Sequence, residues 1–319
     1  MVDPVRPIAI EDVEEARGRI ADTVLRTPLV KLDAGAGAPE IWLKLENLQP
    51  TNAYKIRGAT NAVAHLSDEE RAKGVWTISA GNAGQGVAYA ARKFGIPSTV
   101  VAIESAPQTK LDRMRALGAI IVPVSYQQAW EAAEAHAFEG LDGTFIHPFD
   151  NHDFIAGHGT MGLEILEDLP EVRTVIAAIG GGGLITGVGS AIKAKRPDVK
   201  VLGAEPETAA PYAYSLREGR PSWFPDWQAS FVDGAGGKSV TERMWQRMRA
   251  VTDGTITVTL DQVRAAMGLM AEKSRTISEG AGALALAAAL TGEAGDGPIV
   301  CVVSGGNIDI PKFAELVAA

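Results

Sequence analysis

Apolar positions along this chain fall into short unbroken runs separated by stretches with helical spacing. Residues 75–79, 99–103, 119–124, 172–179, 199–205 and 299–304 are apolar, often β-branched runs that predict strands buried on both faces. Residues 41–45 and 145–146 read as two further short strands. Helices are predicted over 83–94, 109–117, 127–138, 155–169, 184–195, 209–218, 240–249, 260–274 and 280–291, with a short one at the end of the chain. Near the N-terminus, Val13, Ala16, Ile20 and Val24 share one face of a helix over 10–24, started by Asp12 and stopped by Arg26-Thr27-Pro28. Ile56, Ala59, Val63 and Leu66 do the same for a helix that Thr51 or Asn52 would cap. Residues 219–238, rich in Gly, Pro, Trp and Ser, read as a long loop with a functional purpose.

Strand and helix alternate with short connections, which predicts an α/β fold of open, twisted parallel sheets covered on both sides. The series breaks at the polar stretch 150–152. Two lobes are therefore expected: residues 53–150 as a smaller, mobile one, and 1–52 together with 151–319 as a larger one. A ligand cleft would lie between them.

Composition narrows the possibilities. Residues 1–20 lack the apolar core of a signal peptide, and no run is long enough to span a membrane. The net charge of −9 argues against nucleic acid and acidic membranes as partners. Cys301 is the single cysteine, so no disulfide framework is possible. The five histidines lack metal-binding spacing. A soluble cytoplasmic protein without a bound metal is the expectation.

Three glycine-containing turns follow apolar strands, where open α/β sheets bind ligands. Gly180, Gly181, Gly182 and Gly183 can turn backbone N–H groups towards a phosphate at the start of a helix. Ser79, Ala80, Gly81, Asn82 and Ala83 form a second such turn, suited to a carboxylate. The third, Ser304-Gly305-Gly306-Asn307, offers a hydroxyl to a bound ring. Lys55 falls in the first turn of its helix, where the positive end of the dipole favours loss of its proton. A neutral lysine amine is what Schiff-base chemistry needs. The set fits pyridoxal 5′-phosphate with an amino-acid substrate. A nucleotide is disfavoured, because no ribose-binding acid and no phosphate-loop lysine accompany the glycines.

The run Asn52-Ala53-Tyr54-Lys55-Ile56-Arg57-Gly58-Ala59 resembles the lysine motif of fold-type II pyridoxal-phosphate enzymes, the tryptophan synthase β family. The likeness is closest to serine and threonine dehydratases and serine racemases. Ser79-Ala80-Gly81-Asn82 with Gln85-Gly86, the segments 146–150 and 156–160, the glycine run, Gly203-Ala204-Glu205-Pro206 and the Ser304 turn repeat the family's order along nearly the whole chain. The resemblance implies that Lys55 carries the cofactor and moves protons at the substrate. It places Tyr54 and Gly234 against the cofactor ring, Asn82 on its phenolic oxygen and the glycine run on its phosphate. Ser304 would meet the ring nitrogen, with Glu279 near the ring. A homodimer is also implied.

The expected reaction is β-elimination of a β-hydroxy amino acid such as L-threonine or L-serine to a 2-oxo acid and ammonia. β-Replacement, racemisation or another lyase reaction on a bulkier substrate, and an idle cofactor-binding homologue, stand as alternatives. Ala80 replaces the second serine of the racemases and cannot transfer a proton, which disfavours racemisation. Ala53 and Ala83 replace polar residues of the common motif, and no basic residue for the substrate carboxylate is evident at 127–131. Pro211 stands where some relatives have a second metal-binding acid after Glu205, so no metal is assigned. The length leaves no room for a regulatory domain, so end-product feedback is not expected.

Overall fold

A computed structural model of the chain describes residues 5–106 and 108–318. Residues 1–4, 107 and 319, which belong to the expected lobes, lie outside the described residues. The chain opens with α1 (Ile10–Ile20) and an antiparallel pair, β1 (Leu29–Leu32) and β2 (Ile41–Lys44). Helices α2 (Lys55–Ala64) and α3 (Asp68–Lys73) lead into β3 (Val75–Ile78), α4 (Asn82–Phe94), β4 (Ser98–Ile103), α5 (Gln108–Ala116), β5 (Ile120–Val124), α6 (Tyr126–Ala135) and β6 (Thr144–Phe145). After α7 (His152–Asp168) come β7 (Thr174–Ala178), α8 (Gly183–Lys195), β8 (Lys200–Pro206), α9 (Pro211–Glu218), α10 (Glu242–Arg249) and β9 (Gly254–Val258). The last elements are α11 (Leu260–Ser274), α12 (Gly280–Leu290), β10 (Ile299–Val302) and α13 (Ile310–Ala318).

The strands form two sheets. The larger has the order β1-β2-β10-β7-β8-β9 and the smaller β5-β4-β3-β6. All pairings except β1 with β2 are parallel. Side chains alternate faces along a strand, and β10 shows what this does to the core. Ile299 and Cys301 pack towards α11 and α12, while Val300 and Val302 pack with α1, α7 and α8. Burial on both faces explains the unbroken apolar run, and it makes Cys301 a packing residue. The free thiol is held by burial well above its ordinary pKa.

Three elements go beyond the periodicity. β1 and β9 are the two edges of the large sheet, and their partly buried patterns carry no continuous apolar run. The residues of α3 are all at least partly exposed, and it is specified instead by a capping box between Ser67 and Glu70. Some boundaries also differ. α1 stops at Ile20, and Asp12 is its third residue rather than its cap, accepting from the N–H of Ala9. α2 is not capped by Thr51 or Asn52. Its N-cap is Tyr54, without a side-chain hydrogen bond. Tertiary pairing takes precedence there. Tyr54 N–H donates to the Ser304 carbonyl at 3.0 Å, Ala53 bridges to Gly305, and the Asn52 carbonyl accepts from Gly306 N–H at 2.9 Å. Asn52 adopts φ 54° to allow this.

Helix α2 is fixed in register by a buried ion cluster. Arg57 donates Nε and one terminal nitrogen to the two oxygens of Glu46, both at 2.8 Å. It also reaches Glu164 of α7 at 2.7 and 2.9 Å. Lys44 meets Glu164 at 2.6 Å and balances the charge. Burial alone would raise the Glu46 pKa, but the Arg57 guanidinium outweighs it and holds the carboxyl below its ordinary value. Beside the cluster the helices touch through backbone: a Cβ on Gly157 would lie 2.5 Å from the Arg57 carbonyl oxygen, and one on Gly58 would strike the Phe154 carbonyl oxygen.

Replacing Arg57 by Met leaves two carboxylates buried without their guanidinium, so a loss of about 3–5 kcal/mol is expected in urea unfolding. Those orphaned carboxylates gain protons more readily in the folded variant than unfolded. The deficit relative to the parent should therefore narrow from about pH 8 to about pH 5.

Candidate active site

Both sheets reverse their strand order at one point, between β3 and β6 in the smaller and between β7 and β10 in the larger. Ligand crevices in parallel sheets open at the carboxyl ends of strands beside such points. A cavity of about 430 Å³ lies there. Ile78 and Ile103 from the ends of β3 and β4, Ala178 from the end of β7, and Ser304 just beyond β10 line it. Tyr54, Lys55, Ser79, Ala80, Gly81, Asn82, Ala83, Gly180, Gly181, Gly234 and Glu279 complete the sequence-predicted part of the wall. Gly182 and Gly183 stand behind it. Their missing side chains make room for Met248 and for the Phe149 backbone.

Lys55 is the first residue of α2, and its amine donates to the Pro148 carbonyl at 2.5 Å. Burial lowers its pKa to about 7. Desolvation adds to the helix position read from the sequence. The segment that carries Pro148 is held in turn. His147 Nδ1 accepts from the N–H groups of Phe149 and Asp150 at 3.3 and 2.9 Å, and Asp150 pairs with Arg243 and Arg247. Burial and neighbouring positive charge depress the His147 pKa to about 3, so the ring stays a neutral acceptor. Phe149 then lies across Gly181, where any Cβ would strike its ring.

The Asn82 side chain donates to Glu279 at 2.7 Å and accepts from Asn307 at 2.8 Å. Burial, then the Asp233 carboxylate, pushes Glu279 up to about 7. Gly305 has to be glycine here, because a Cβ would lie 2.5 Å from the Glu279 carboxylate. Gly180 and Gly234 approach each other, a Cβ on the first falling 3.0 Å from the carbonyl oxygen of the second. Glu205 faces away from this wall. It accepts from the N–H groups of Tyr212 and Ala213, both at 2.8 Å, and so anchors the start of α9. Pro148 and Phe149, from the 146–150 segment, also line the cavity, as do Lys110, Asp233 and Ser105, which escaped the sequence reading. Lys110 lies within α5, well past the end of β4, and carries no local sequence signal of its own.

The donor set suits an anionic ring cofactor. α8 begins at a glycine loop whose N-cap, Gly182, supplies no side-chain cap, leaving first-turn N–H groups for a phosphate. The Ser304 hydroxyl lines the cavity and makes no hydrogen bond among the described residues. A buried amine with a pKa of about 7 completes the set.

Comparison with known proteins agrees. Residues 20–305 match the family described as "Pyridoxal-phosphate dependent enzyme". The chain belongs to that family. It is 41% identical over 315 residues to an L-threonine ammonia-lyase of Thermotoga maritima, covering 97% of this chain and 78% of that one. Maize serine racemase superposes with a TM-score of 0.90 at 34% identity, covering 97% of each chain. A threonine deaminase from T.th. gives 0.87 at 36% identity, covering 95% of this chain and 99% of that one. The chain is thus a pyridoxal-phosphate-dependent enzyme of fold type II, with the cofactor site in the cleft between its two sheets.

To bond a pyridoxal cofactor, the amine of Lys55 would have to be neutral. Reloading of cofactor-stripped enzyme should therefore speed up as pH rises through about 7. An ordinary lysine would place that midpoint at about 10.4. Absorbance at fixed cofactor concentration reads the midpoint directly, and Lys55→Ala should remove the pH dependence along with the covalent attachment.

Proposed function

We propose that this enzyme is an ammonia-lyase that eliminates water from a β-hydroxy amino acid of the L-threonine or L-serine type, giving a 2-oxo acid and ammonia. The observation that carries the reading is Lys55, a buried amine with a pKa of about 7 on the wall of a cleft that also presents the Ser304 hydroxyl and the backbone amides of two glycine turns. Its relatives named as threonine ammonia-lyase and threonine deaminase support the same chemistry.

Pyridoxal phosphate, when bound, supplies the electron sink that makes the substrate α-proton removable. Lys55 would hold it covalently, with Gly180 to Gly183 at its phosphate, Asn82 at its phenolic oxygen, and Tyr54 and Gly234 at its ring. Ser304 would meet the ring nitrogen, with Glu279 close by. The Lys55 amine would take the proton from the substrate α-carbon, and the β-hydroxyl would depart with its electron pair, taking up a proton to leave as water; the enamine so released tautomerises and is hydrolysed to the 2-oxo acid and ammonia. The N–H groups of the 79–83 turn orient the substrate carboxylate. Ala80 lines the cavity and has no ionisable group, so proton transfer is left to Lys55. That favours elimination over racemisation, which needs acid–base groups on both sides of the carbon.

A cytoplasmic location is supported by the single, buried, unpaired cysteine and by the absence of any helix long and apolar enough to cross a membrane among the described residues. A homodimer is supported by the exposed apolar side chains of Leu48, Ile277 and Ile310, which share one groove of about 570 Å³. Light scattering should report twice the chain mass, and Leu48→Asp with Ile310→Asp should shift it to the monomer.

Incubation with L-threonine, L-serine, 3-hydroxyaspartate and phenylserine, each assayed for 2-oxo acid, tests the reaction. At least one should turn over, without appearance of the D-isomer. Lys55→Ala should reduce the rate by about 10²–10⁴-fold or more. No 2-oxo acid from any of the four would reject the ammonia-lyase reading.

A further inference from the structure

Every amino-acid substrate carries an α-carboxylate, and the cavity has to compensate that charge. Among the described residues, Lys55, Lys110, Asp233 and Glu279 are its charged lining side chains. Lys55 is committed to the cofactor and the α-proton. The helix turn at 127–131 supplies no substitute: Gln127 pairs with Glu131 at 2.7 Å on the exposed side of α6, away from the cavity wall. Lys110 is therefore the one remaining cation there.

Lys110 comes from α5, behind the smaller sheet, and Asp233 from the single-turn helix Asp233–Ala235 on the other side of the cleft. Their side chains meet at 2.6 Å. The two differ in environment. The Lys110 side chain is 23% exposed, whereas Asp233 is 58% exposed and can be rehydrated at little cost. A carboxylate arriving inside the cavity meets the ammonium in a less polar setting than Asp233 does, so its attraction is stronger. Both charges are felt deeper in, since Asp233 raises and Lys110 lowers the proton affinity of Glu279. α4 meanwhile starts without a side-chain cap, so the amides of the 79–83 turn and the Lys110 ammonium can converge on one anion.

We propose that Lys110 binds the substrate α-carboxylate and that Asp233 is its resting partner, displaced when substrate enters. The proposal rests on the ammonia-lyase reading in taking an amino acid as the ligand. Lys110 is a binding residue in this scheme, and Asp233 a competitor that keeps the cleft mouth closed between turnovers.

Calorimetric titration of the holoenzyme with L-2-aminobutyrate tests it, because this ligand keeps the amine and carboxylate but has no β-leaving group. Lys110→Met should weaken binding about tenfold or more, the worth of a charge-assisted hydrogen bond. It should raise KM for the best substrate by a similar factor while leaving kcat nearly unchanged, and Lys110→Arg should restore most of the affinity. Asp233→Asn should act in the opposite direction and tighten binding. Binding of 1-amino-2-propanol, which lacks the carboxylate, should be the same in the parent and all three variants. The proposal is overturned if Lys110→Met leaves the affinity for L-2-aminobutyrate unchanged, or if Asp233→Asn weakens binding as Lys110→Met does, as a merely structural bridge would. Equal loss of the carboxylate-free amine, or no binding of L-2-aminobutyrate to the parent enzyme, overturns it as well. Failure of the ammonia-lyase reading shows itself separately, as L-2-aminobutyrate binding without 2-oxo acid from any β-hydroxy amino acid.

Discussion

The position of Lys55, the proposed cofactor lysine, depends on a guanidinium two residues further along its helix. Arg57 joins α2 to Glu46, just after β2, and to Glu164 on α7, and Lys44 neutralises the remainder. Apolar contacts tolerate small slips of one helix past another, but a planar fork seated on two carboxylates does not. The energetic return of such a cluster is modest, because all its members had to leave water. Its contribution is register: with Arg57 seated, the amine of Lys55 emerges beside Pro148 rather than one residue away. The backbone bonds from residues 52–54 to 304–306 complete the fixation from the other end, which is why α2 needs no conventional cap.

The amine holds its proton weakly for a related reason. It lies among Tyr54, Phe154 and the 148 carbonyl, where a proton is poorly solvated, and desolvation outweighs the attraction of the two rings about 5.3 Å away. The same low polarity lifts Glu279 to about 7, so the cleft holds two groups poised to exchange protons near neutrality. Both line the cavity.

Much of the fold could be read from periodicity where burial was two-sided. β7 and β10 are uniformly buried, and their runs stand out. Edge strands β1 and β9 face solvent on one side, and α3 buries no residue fully, so neither left a hydrophobic rhythm to detect. In the cavity wall, Gly180, Gly181 and Ser304 could be picked out because turns after apolar strands stand at the ligand side of the sheet, and Lys55 because it opens a helix. Gly234 and Glu279 entered only through the family resemblance. Lys110 and Asp233 left no local sign, since a single lysine in a charged helix and a single aspartate in a loop look like ordinary surface. They matter only because two distant segments meet across the cleft. The glycine run also showed a division of labour that its sequence conceals. Gly180 and Gly181 face the cavity, whereas Gly182 and Gly183 accommodate Met248 and Phe149.

The contact of Gly58 with Gly157 has a consequence of another kind. Where two main chains meet with no side chain between them, there are no rotamers to average and no volumes to rebalance when neighbouring residues change. The anchorage of the lysine is thereby insulated from drift in the cavity wall. Alanines now at 80 and 83 could be exchanged for larger or more polar residues while the amine stays where it is. Such a scaffold lets substrate preference diverge among descendants without the attachment chemistry having to be rebuilt each time.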